Sequence, residues 1–176
     1  MKNVNVDLKY PEDVTWEQVL DNWRQRERGN PDLARFGEAG LCVWERILGG
    51  LDDVGIHPSL KAWKRYTIVN PWELVPKLRL APYGYWQEQF PDDIRNSVSL
   101  NFNKLVNDRR EYQRNRRVLS IMRDFPINSI FVGLRMPDNS IVLLEGHHQA
   151  IAITLARDQG LLLNLGELKI DIARHP

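Results

Sequence analysis

One stretch constrains the fold more than any other: "NSIFVGLRMPDNSIVLLEGHHQAIAITLARDQG", Asn128 to Gly160. Two short apolar runs, Ile130–Leu134 and Ile141–Leu144, flank the turn residues Pro137–Ser140. Asp138-Asn139 suits the positive-φ positions of a tight turn, so the pair is expected to form a β-hairpin. The second run stops at Glu145-Gly146, and an Ala/Ile-rich run starts at once. A helix is expected from His147 to about Asp158, with Gly160 beyond its end. A hairpin feeding directly into a helix requires a sheet with a helix packed on it.

The rest of the chain is consistent with that. "RYTIV" is a short β-branched run, Pro71 and Pro76 punctuate "NPWELVP", and "LAPYGYWQEQFPDD" looks like an aromatic-rich loop. Ser97 to Asp124 is expected to be helical, as one helix or as two broken near Asn107. In "GELKIDIA", Leu168, Ile170 and Ile172 alternate with polar residues, as in a half-buried strand. The expected fold class is α+β: a small mixed β-sheet with packed helices over residues 66–176.

Residues 1–60 are expected to form a helical N-terminal extension. Thr15 and Gln18 make a capping-box pattern, and Trp16, Val19, Leu20 and Trp23 fall on one helical stripe. A second helix is expected from Leu33 to Leu48. Cys42 lies within it between Leu41 and Val43 and reads as a buried thiol.

Composition excludes several classes. Lys+Arg total 24 against Asp+Glu 23, so no global field draws the chain to nucleic acid or anionic lipid. With one cysteine, no intrachain disulfide and no cysteine-based zinc site can form. There is no signal-peptide h-region and no apolar run of about 18 residues, so a cytoplasmic protein with no membrane partner is expected.

Three groups of residues can carry chemistry. Gly146 at the strand–helix junction lets backbone amides approach a ligand, and the first amides of a helix attract anions. His147 and His148 can donate to a phosphate or move a proton near neutral pH; a plain cap and a gap-filler fit them as well. Adjacent histidines diverge by about 100° on a helix, which argues against zinc. Glu73, on a turn between two prolines, can act as a general base or hold Mg²⁺ beside a nucleotide. Arg114, Arg116 and Arg117, in "NDRREYQRNRRVLSIMR", can contact nucleic-acid phosphates or form a solvated helix face with i,i+4 pairs.

Together, "YTIVNPWELVP" and the hairpin ending in "EGHHQ" resemble the ParB/sulfiredoxin superfamily over about residues 66–173. The resemblance implies a nucleotide phosphate (ATP, ADP or CTP), with Mg²⁺ as an accompanying ion, held by Glu145, Gly146, His147, His148 and Gln149. Sulfinic-acid reduction is not expected, because the sulfiredoxin box contains a cysteine and Cys42 lies far outside this one. The chromosome-partition role is not expected either, since only the box helix and one strand follow Gln149.

In size the chain better resembles the free-serine kinases, which carry a D-G-H-H-R box and a catalytic Glu in the opening P-x-E turn. That similarity implies a kinase acting on a small hydroxyl substrate, with Glu73 as base and His147 beside it in the catalytic site. The alternative is a nucleic-acid- or protein-binding module, including a nuclease-like role, without kinase activity. Two departures stand out. Glu145 replaces an aspartate, and Gln149 replaces an arginine, which removes a fixed charge and a bidentate phosphate contact.

Overall fold

The computed structural model describes residues 7–27, 62–82, 84–88 and 90–174. The expected helix Leu33–Leu48 and Cys42 lie outside them. In chain order the elements are β1 (Leu8–Val14), α1 (Trp16–Glu27), β2 (Trp63–Ile68), α2 (Pro71–Leu74), a 3-10 turn (Val75–Lys77), β3 (Arg79–Leu80) and α3 (Gly84–Gln87). There follow α4 (Phe102–Asp108), a second 3-10 turn (Arg110–Arg114), α5 (Arg116–Arg123), β4 (Ile130–Arg135), β5 (Ile141–Glu145), α6 (His147–Asp158) and β6 (Lys169–Arg174). The fold is α+β, with a mixed six-stranded sheet in the order β1-β2-β6-β4-β5-β3. β6 runs parallel to β4 and β3 parallel to β5, and the other neighbours are antiparallel.

The hairpin and box helix form where expected. Asn139 takes φ 64°, and the Asp138 carboxylate accepts from the Ser140 amide at 2.9 Å. Beyond α6, Gly160 takes φ 68°.

The central strands β4, β5 and β6 are buried on both sides. Phe131, Ile141, Leu143, Ile170 and Ile172 face the larger core, which α4, α5 and α6 cover. Val132, Leu134, Val142 and Leu144 face a second core, which Val19 of α1 closes with Trp16 and Leu20 packed against it. The capping box is formed: the Thr15 amide donates to Gln18 Oε1 at 2.8 Å and the Gln18 amide to Thr15 Oγ1 at 3.2 Å.

Three expectations are corrected. Residues 8–14, expected within a helical extension, form β1 at the sheet edge. Pro11 is tolerated because an edge strand leaves one side unpaired, and a bulge between Lys9 and Glu12 absorbs it, with Tyr10 at φ 55°. The Ser97–Asp124 segment is broken just after Asn107, as in the two-helix alternative, but its first helix starts only at Phe102 and a second break falls at Asn115. Asn101 and Asn115 cap α4 and α5 by accepting from the Lys104 and Val118 amides, and the 3-10 turn lies between. The loop after Leu80 contains α3.

Candidate phosphate site at the start of α6

The site begins with a glycine that nothing else can replace. Gly146 has φ 107° and ψ 16°, and a Cβ there would lie 2.5 Å from Cδ1 of Phe131. Strand β5 therefore turns tightly over the Phe131 ring into α6. The Gly146 carbonyl accepts from the Ala150 amide at 2.9 Å, which closes the first turn. The amides of His147, His148 and Gln149 precede the first intrahelical donor, and they point along the positive end of the helix dipole.

The two histidines occupy different environments. His147 is 5% exposed. Its ring stacks on Trp86 at 4.7 Å with planes 8° apart, and Phe102 lies 5.7 Å away. Burial, and secondarily the charge of neighbouring His148, push its pKa from the ordinary 6.5 down to about 3. His147 is neutral at pH 7 and packs as an aromatic ring, so neither a cationic phosphate contact nor proton transfer near neutrality fits this state. His148 is half-buried and meets Trp86 edge-on at 5.3 Å. It is the more exposed of the two histidines. Gln149 is also half-buried.

Glu145 does not stand alone beside these amides. Arg26, near the end of α1, places Nη2 3.1 Å from Glu145 Oε1. Its Nη1 donates to the Ile130 carbonyl at 2.6 Å. An arginine from the N-terminal segment thus brings positive charge beside the start of α6.

Glu73 sits on α2, with Pro71 at the first helical positions. Its carboxylate is exposed and pairs with Lys77 Nζ at 3.0 Å. Both α2 and the 3-10 turn after it pack on α6, so the Pro-Glu turn and the box lie on adjoining elements. Arg114, Arg116 and Arg117 are exposed on the second 3-10 turn and the first turn of α5. That 3-10 turn carries Tyr112, which stacks on Trp86 at 5.9 Å.

Sequence reading missed Arg26, Trp86 and Phe131. Trp86 lay in a stretch already notable for its aromatic residues. Arg26 and Phe131 had no local signal, because each acts on a residue distant in the chain.

Among the described residues no group of three or more His, Cys, Asp or Glu is placed to hold a metal ion, and no helix is long and apolar enough to cross a membrane. Comparison with protein-family models, curated proteins and solved structures finds no match.

Proposed function

We propose that this chain is a ParB/sulfiredoxin-like phosphate-binding domain whose ligand is a nucleotide, cradled by the α6 start from Gly146 to Gln149. The observation that carries this reading is the packing of the Glu73 turn on the helix that begins with the Gly-His-His box. The resemblance needs those two pieces on one site, and they are separated by a long stretch of chain.

In this reading the backbone amides of the first turn of α6 bind the phosphate. His148 and Gln149 add side-chain donors, and Arg26 offsets the Glu145 charge that would otherwise repel the anion. His147 supports the turn from beneath by stacking on Trp86.

The finer form of the reading is phosphotransfer to a small hydroxyl substrate. Glu73 would take the hydroxyl proton as the oxygen attacks the terminal phosphorus, and the nucleoside phosphate leaves. Its exposure and its rigid proline-flanked turn suit a base that meets a diffusing substrate. Mg²⁺ would screen the phosphate charges when bound.

Calorimetric titration with ATP, ADP and CTP, with and without Mg²⁺, tests the reading. Binding with at least one is expected, weakened by His148→Ala and strengthened about tenfold by Gln149→Arg, which restores a charge-assisted contact. Absence of heat with all three nucleotides in both conditions would sink it. Binding without phosphate transfer to small hydroxyl compounds would remove the kinase form alone.

A further inference from the structure

The basic residues of this protein do not share one environment. Arg26 meets Glu145, Arg65 forms a bidentate pair with buried Asp171 at 2.7 and 2.9 Å, and Lys77 meets Glu73. Lys104, in α4, pairs with Asp108 at 2.8 Å. The segment just after that is different. Arg110, Arg114, Arg116 and Arg123 are all exposed, and among the described residues none of their side chains enters a hydrogen bond or ion pair.

Helix geometry gathers part of this charge on one surface. Val118 of α5 is buried, and Ile121 and Met122 pack against the core. The opposite face presents Arg116, Ser120 and Arg123, all exposed, with Arg117 on its flank and no acidic residue in the first turn. Arg116 and Arg123 are two turns apart on that face, about 10 Å along the axis. Arg114 stands just before the Asn115 cap. Cations at a helix N-terminus oppose the dipole, so the fold itself does not favour Arg116 there, whereas Arg123 in the last turn suits it.

The geometry points to a docking surface for a nucleic-acid duplex on the outer face of α5, with Arg114, Arg116 and Arg123 meeting the phosphodiester backbone. Planar guanidinium groups suit phosphate oxygens, and exposed hydroxyls such as that of Ser120 join such contacts. A lipid surface fits less well, because none of the large exposed hydrophobic residues lies between Lys104 and Asp124. A single strand fits less well too: the ring of Tyr112 is buried against Trp86, so this segment offers no aromatic platform for stacking bases. Backbone contacts alone make binding independent of sequence and steeply salt-dependent. This surface is separate from the α6 start, and its test does not require a nucleotide to bind there.

Fluorescence anisotropy with a labelled 20-base-pair duplex of arbitrary sequence, as DNA and as RNA, is the test. Three phosphate contacts predict a log–log salt slope of about −2.7 on DNA, or roughly a fortyfold loss between 50 and 200 mM salt. Arg116→Gln/Arg123→Gln should lower the slope by about 2 and weaken binding at least tenfold at 50 mM salt. Arg116→Lys/Arg123→Lys should stay within a few-fold of the parent. Unchanged melting temperature in both variants separates this effect from unfolding. The DNA and RNA arms decide which duplex is preferred. The proposal is overturned if neither duplex binds at 50 mM salt, or if the glutamine variant binds like the parent. It is also overturned if polyglutamate or vesicles with 30% phosphatidylserine bind as tightly as the duplexes.

Discussion

Arg26 Nη2 lies 3.1 Å from Glu145 Oε1, joining the end of the N-terminal helix to the last residue of β5. The contact is mostly shielded from water, with the two side chains 20% and 12% exposed. A carboxylate next to a helix N-terminus favours that helix but competes with an incoming anion. The guanidinium moderates both effects.

Charge coupling between these two residues is therefore measurable without a ligand. Arg26→Ala should destabilise the protein by about 1–3 kcal/mol, because it leaves a poorly solvated carboxylate and an unmet Ile130 carbonyl. Adding Glu145→Gln should recover more than half of that loss. Chemical denaturation of the two single variants and the double variant gives the coupling; strictly additive losses would contradict it.

Gly146→Ala should be among the most damaging single-methyl changes in the chain. It combines a left-handed φ of 107° with a Cβ 2.5 Å from the Phe131 ring. A loss of about 2–4 kcal/mol is expected from strain and overpacking together. Gly146→Ala/Phe131→Leu should relieve the packing part and leave the backbone part. A melting temperature within a degree of the parent for Gly146→Ala would contradict the geometry.

His147 predicts acid sensitivity with a defined sign. Its pKa lies near 3 in the folded chain, below the ordinary 6.5 of an unfolded one. Well above pH 6.5 both states are neutral and the group contributes no slope. Between 6.5 and about 3 the unfolded chain binds a proton that the folded chain refuses, so stability falls as pH falls. The slope approaches about 1.4 kcal/mol per pH unit, with about 1.6 kcal/mol lost between pH 6.5 and 5. Denaturation midpoints at those two pH values check this. His147→Phe should remove that part of the acid loss while keeping the stack on Trp86.

Arginine at the start of α5 predicts a gain in stability on its removal. Arg116→Glu reverses an exposed charge at the positive end of the helix, where an acidic side chain is preferred. A gain of about 0.3–1 kcal/mol at low salt is expected, shrinking as salt rises. The same change should weaken duplex binding, so stability and binding move in opposite directions.

The sequence by itself determined the elements whose cause is local. The β4–β5 hairpin follows from two apolar runs around Asp138-Asn139, and α6 from an apolar run opened by Gly146 and closed before Gly160. The capping box of α1 rests on Thr15 and Gln18, three residues apart. What tertiary structure decided are the features whose cause lies elsewhere in the chain. β1 is a strand because β2 supplies its hydrogen-bond partners, despite Pro11 and helix-like neighbours. β3, two residues long, exists through its parallel pairing with β5. His147 and His148 are adjacent, yet Trp86 and Phe102 enclose the first and leave the second half-exposed. Arg26 reaches Glu145 only because α1 covers the second face of the sheet. Spacing along the chain encodes caps, turns and periodicity. Burial and charge pairing depend on which distant surface the fold brings to each residue.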